Sequence, residues 1–66
     1  MYRKITDIAK ELNVSKFEVI RRLSSIGAIT YCGKIPQIMM YSDYEEDIQI
    51  RNGELCITDN LKNVIA

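Results

Sequence analysis

The chain contains no histidine and only two cysteines, Cys32 and Cys56. Two thiols cannot complete a four-ligand zinc site, and a disulfide is not expected in a reducing compartment, so both read as structural thiols, with a redox pair as the alternative. The three glycines form no phosphate-cradling loop, and no nucleophile stands at a visible spacing from a base. A chain of 66 residues also has little room for a closed substrate pocket. The expectation is therefore a protein that is not an enzyme and that holds neither cofactor nor metal. Long apolar runs are missing too. The longest, Ile38-Met39-Met40-Tyr41, is far too short to span a bilayer, and the charged Met1-Tyr2-Arg3-Lys4 start leads into no signal-peptide core. A cytoplasmic location with no membrane association follows as an expectation. Repeats, low-complexity tracts and linkers are absent, so residues 1–66 read as a single domain.

What is present is ordinary globular material. Hydrophobic residues make up 47% of the chain, enough to argue against disorder, although the length is near the lower limit for a core unaided by crosslinks. The formal charge is zero but unevenly spread. Residues 1–35 carry seven cations (Arg3, Lys4, Lys10, Lys16, Arg21, Arg22 and Lys34) against three acids. Residues 36–66 carry Arg51 and Lys62 against six acids. This division predicts an electrical dipole whose positive end suits a polyanion.

The most informative stretch is 5–27. Ile5, Ile8, Ala9 and Leu12 recur at helical spacing, with Lys10 and Glu11 outward, Thr6 placed to cap the start and Asp7 in the first turn. Asn13 tolerates the left-handed backbone of a tight turn, and Val14 follows as a buried pivot. Ser15 and Glu18 then have the spacing of a capping box. Val19, Ile20, Leu23 and Ile26 form the next apolar stripe, which Gly27 ends. Two short helices, a turn of about three residues and a small Ala9 where they cross describe a helix-turn-helix.

Beyond it, 28–31 reads as a strand, Cys32-Gly33-Lys34 as a turn and 37–41 as a second strand after Pro36. A hairpin over 28–41 in this position would be a wing, with Lys34 near its tip. Residues 43–47 fit either one helical turn or a solvated acidic loop. Across 48–58, alternating apolar residues flank Asn52-Gly53, the signature of a hairpin closed by a type I′ turn. Leu61, Val64 and Ile65 predict a short closing helix. A short strand over 2–5 precedes the first helix. The fold class is α+β: an N-terminal helix-turn-helix followed by β-hairpins, winged-helix-like.

In a helix-turn-helix the second helix enters the major groove. Its outward candidates here are Ser15, Lys16, Phe17, Glu18, Arg21, Arg22 and Ser25. Arg21 and Lys16 are the expected base readers, and Arg22, Lys10, Lys4 and Lys34 the expected phosphate contacts. Phe17 fits a thymine methyl or an extended partner-binding face. Glu18 and Arg22 also stand at the spacing of a surface ion pair, the bland reading of these charges. Tyr2, Tyr31, Tyr41 and Tyr44 are expected to pack with their hydroxyls at the rim. Adjacent strand residues point to opposite faces, so one of Met39 and Met40 faces outward; with Tyr41 they suit a dimer seam or partner patch. The acidic cluster Asp43-Glu45-Glu46-Asp47 lacks the pattern of a calcium loop.

Ile8-Ala9-Lys10-Glu11-Leu12-Asn13-Val14-Ser15 followed by Val19-Ile20-Arg21-Arg22-Leu23 resembles the DNA-binding helix-turn-helix of bacterial and phage repressors, lac-repressor-like in spacing. That resemblance implies base contacts from Lys16, Phe17 and Arg21, with Phe17 departing from the usual polar residue. The same run through Gly27 is similar to the N-terminal module of bacterial translation initiation factor two, with Asn13 in place of its glycine. The second half, around Pro36 and Gln37, is faintly like the C-terminal domain of phage antirepressors. The resulting expectation is a small sequence-specific duplex-DNA-binding protein, either a transcriptional regulator or an excisionase-type factor of phage character, aided by homodimerisation. The alternatives are a module docking on an integrase, repressor or polymerase subunit, and an RNA- or ribosome-associated module.

Overall fold

The apolar spacing resolves into a mixed α+β arrangement. The structure, a computed structural model, describes residues 1–32, 35–38 and 43–66, with the backbone alone described for 31, 32, 35 and 36. In chain order the elements are β1 (Arg3–Lys4), α1 (Ile5–Leu12), α2 (Lys16–Ser25), β2 (Ile29–Cys32) and β3 (Ile35–Ile38). A 3₁₀ turn (Glu45–Asp47), β4 (Ile48–Arg51), β5 (Glu54–Ile57) and α3 (Asp59–Ile65) follow. The described strands form two antiparallel sheets, β1-β5-β4 and β2-β3.

α1 starts earlier than the sequence predicts. Lys4, with extended backbone, occupies the cap position and makes no side-chain capping bond. Thr6 lies inside the first turn, its hydroxyl 3.5 Å from Glu54 Oε1. The reason is tertiary. Arg3 pairs with Ile57 and Lys4 with Cys56, so β1 runs straight into the helix and leaves no space for a separate capping residue. The strand itself is correspondingly shorter than 2–5.

Both helices of the N-terminal pair stop by the same device. Asn13 is left-handed (φ 59°), its N–H donating to the Lys10 carbonyl (3.2 Å) while that of Val14 donates to the Ala9 carbonyl (3.0 Å). Gly27 (φ 79°) repeats this, with its N–H on Ser24 (3.1 Å) and the Ala28 N–H on Leu23 (3.0 Å). Each is a Schellman ending, which satisfies carbonyls that would otherwise be orphaned. Between the helices, Ser15 caps α2 by accepting from the Glu18 N–H at 3.1 Å. The reciprocal half of the capping box does not form, because the Glu18 carboxylate is taken by Arg21 and Arg22.

The strand boundaries shift for similar reasons. Ala28 is committed to ending α2 and is fully buried, so β2 begins at Ile29. β3 (Ile35–Ile38) starts ahead of the expected 37, with Pro36 within it opposite Tyr31, and positions 39–41 of the expected strand lie outside the described residues. In a two-stranded sheet one edge of each strand needs no donors, so the proline is tolerated there. The second hairpin matches its prediction: Asn52 (φ 52°) and Gly53 (φ 75°) both adopt positive φ, as a type I′ turn requires, and Arg51 faces Glu54. Its alternation is less simple than expected. Ile48 is buried but Ile50 is 47% exposed at the sheet edge, whereas Leu55, Cys56 and Ile57 are all buried. β5 is the central strand, and consecutive buried residues mean that both of its faces are shielded.

Thr58 joins the last strand to α3. Its hydroxyl accepts from the Leu61 N–H (3.3 Å) and donates to Asp47 Oδ1 (2.8 Å), while its own N–H donates to the Asp47 carbonyl (3.0 Å). That ties the 3₁₀ turn to the start of the helix. Leu61 and Ile65 enter the core, but Val64, expected in the same stripe, is half exposed. The Tyr2 hydroxyl donates to the Glu46 carbonyl and Arg51 stacks over its ring, 5.5 Å from the centroid. The core is a single cluster in which Ile5, Ile8 and Ala9 of α1 and Val19 and Leu23 of α2 meet Ile29, Ile48, Leu55, Ile57, Leu61 and Ile65.

Folding also interleaves the charges that the sequence divides into halves. Arg3 pairs with both Glu11 and Asp59, Lys62 reaches Glu11 at 3.3 Å, and Lys4 lies 3.9 Å from Glu54. The expected simple dipole is blunted along this seam, since cations of the first half lie against carboxylates of the second.

Candidate nucleic-acid interface

Among the described residues, α2 is held from one side only. Val19 and Leu23 are fully buried, Ile20 and Ile26 pack partly against the core, and α3 and β2 contact the helix from the inner side. The helical repeat carries Lys16, Phe17, Arg21, Ser24 and Ser25 outward, and all five are exposed. Phe17 is the extreme case, an aromatic ring 80% exposed. Ser15 is exposed just ahead of them.

The guanidinium groups of this helix are not free-standing. Arg21 donates from Nε to Glu18 Oε1 (2.9 Å) and from Nη2 to Oε2 (2.6 Å). Arg22 donates from Nε to the same Oε2 (2.8 Å) and from Nη1 to the Ile65 carbonyl (3.1 Å). The hydrogen bonds from Arg21, then those from Arg22, hold the Glu18 carboxyl down to about 2, and the Arg21 guanidinium is raised in turn by Glu18. The anticipated Glu18–Arg22 pair is thus present, but with Arg21 as a third member. Arg22 is half-buried and turned toward α3, so it belongs to the α2–α3 junction rather than to the exposed face.

The structure therefore brings together Ser15, Lys16, Phe17, Arg21 and Ser25 on one helix. Lys10 is exposed on α1, and neither it nor Lys16 forms an ion pair among the described residues. Lys4 stands apart, beside Glu54 of the sheet. Lys34, Met39, Met40 and Tyr41 lie outside the described residues. Two features escape the sequence reading. Ser24 shares the outer face, which seven-residue spacing from Phe17 would have indicated. An open cleft of about 330 Å³ runs between α2 and the end of α3, lined by Arg21, Arg22, Ser25, Ile26, Val64, Ile65 and Ala66. Only the docking of α3 creates it, and no local signal announces that. Among the described residues no three His, Cys, Asp or Glu side chains gather as a metal would require, and no helix is long and apolar enough to cross a membrane.

Compared with protein-family models, curated proteins and solved structures, the chain matches none.

Proposed function

We propose that this protein binds duplex DNA through the outer face of α2, with α1 and α2 acting as a helix-turn-helix and β2–β3 as a wing. The carrying observation is the uncovered row Lys16, Phe17, Arg21, Ser24 and Ser25 on a helix whose opposite side is anchored in the core. In this reading Arg21 meets a guanine edge, Lys16 a guanine or phosphate, and Phe17 a thymine methyl. Ser25 and Lys10 contact the backbone and set the register. The protein acts by occupying DNA in the cytoplasm, as a transcriptional regulator or recombination directionality factor, rather than by catalysis. Its longest extent is 27 Å, less than the roughly 34 Å of one turn of B-DNA. One copy therefore covers one half-site, and a pair of copies would be needed for a full operator.

Fluorescence anisotropy with a randomised duplex library tests this. With Lys10 and Lys16 as the phosphate-proximal cations, log affinity should fall by about 2 per tenfold rise in salt. Arg21→Ala should weaken binding to a selected site by roughly tenfold or more. Undetectable or salt-insensitive binding sinks the proposal.

The exposed Phe17 ring favours a second reading, docking on a protein partner such as an integrase or polymerase subunit. A stoichiometric partner retained from nuclease-treated lysate, and lost in Phe17→Ala, would support docking over DNA.

A further inference from the structure

Within the exposed face, Arg21 is oriented in a particular way. Glu18 takes one side of its guanidinium, the Nε–H and one N–H of Nη2, at 2.9 and 2.6 Å. A guanidinium has five N–H donors in a rigid plane. Both N–H groups of Nη1 and the second of Nη2 are therefore unspent among the described residues, and one from each nitrogen lies parallel on the end-on edge of the fork. The Arg21 side chain is 66% exposed while that of Glu18 is only 28% exposed, so the carboxylate supports the guanidinium from beneath. Glu18 is itself fixed. Its Oε2 accepts from Arg22 at 2.8 Å, and Arg22 is anchored on the Ile65 carbonyl of α3. A relay thus runs from the last turn of α3 through Arg22 and Glu18 to the exposed edge of Arg21.

We infer that Glu18 is a positioning residue that makes Arg21 a reader of guanine edges instead of a phosphate anchor. This rests on the duplex-DNA reading above. Two physical effects converge. An arginine held by a carboxylate has already lost the rotamer freedom that a free surface arginine surrenders on binding, and its two remaining parallel donors match the O6 and N7 acceptors of guanine. The same carboxylate cancels one positive charge, lowering attraction to phosphate at any sequence. Glu18 therefore trades general affinity for discrimination.

The experiment compares the intact wild-type chain with Glu18→Gln and Glu18→Asp. Each is titrated against a duplex selected by the wild type from a random pool and against a scrambled duplex. Glu18→Gln should bind the scrambled duplex more tightly, steepen its salt slope by about 1, and lower the selected-to-scrambled ratio by roughly tenfold. Glu18→Asp keeps the charge but withdraws the carboxylate by one methylene. It should retain the wild-type slope while losing part of the ratio, which separates positioning from charge. Thermal melting establishes that the variants are folded; the Ser15 cap uses the backbone N–H of residue 18 and survives both changes. If folded Glu18→Gln keeps the wild-type ratio and slope, the role of Glu18 is overturned and the DNA reading stands. A wild type with undetectable or salt-insensitive duplex binding overturns the DNA reading and this inference with it, whereas one that binds without selecting a sequence overturns this inference alone.

Discussion

At the scale of single residues, Arg22 shows how a cation placed for one role is captured by another. The α2 wheel puts it beside Arg21, yet its Nη1 donates to the Ile65 carbonyl and its Nε to Glu18, so it closes the junction between α2 and α3. Arg22→Met keeps the aliphatic bulk and removes both bonds. Denaturant unfolding should show a loss of about 1 kcal/mol. Acid acts on the same cluster. Hydrogen bonds from Arg21 and then Arg22 hold the Glu18 carboxyl at about 2, and the bond from Arg3 lowers that of Glu11. A carboxyl depressed in the folded state contributes stability above its unfolded value, here 4.5, and the contribution disappears as pH falls through the folded value. The melting temperature should thus be steady above about pH 4.5 and decline toward about pH 2, with a shallower decline in Glu18→Gln. A flat acid profile would mean that these pairs do not persist in solution.

At the scale of elements, the turn between α1 and α2 depends on one backbone conformation. Asn13 sits at φ 59°, and its own N–H and that of Val14 make the two bonds that end α1. Asn13→Ala should destabilise the fold by about 1 kcal/mol, because a Cβ without a polar group is disfavoured in the left-handed region, whereas Asn13→Gly should be near neutral. Chemical denaturation of the two variants side by side checks this. Such local rules were readable in advance: the left-handed Asn13, the Ser15 cap, the Gly27 stop and the Asn52-Gly53 turn all lie where neighbouring residues alone dictate them. The failures occur where distant chain intervenes. Thr6 loses its capping role to the pairing of Lys4 with Cys56, and Glu18 completes no capping box because two arginines claim its carboxylate. The hairpin pattern, alternating apart from Cys56, did not place β5 at the centre of its sheet, since that position depends on β1 arriving from the other end of the chain.

At the scale of the whole molecule, the candidate face was legible as a set of residues but not as an electrostatic object. Helical spacing places Lys16, Phe17, Arg21 and Ser25 together, whereas the pairing of Arg3 with Asp59 and of Lys62 with Glu11 required the tertiary fold. The central position of β5 carries one more consequence. Ile5 and Ile8 lie in the same cluster as Ile57 and Leu61, so part of what buries the first helix is contributed by the far end of the sequence. A synthetic peptide ending at Gly27 would contain every residue of the helix pair and none of that cover. Its helices, of 8 and 10 residues, are shorter than the roughly 12–15 at which isolated helices become even marginal in water. Circular dichroism of that peptide should report mostly coil. Grafting this grip onto another scaffold would therefore mean transplanting the chain entire.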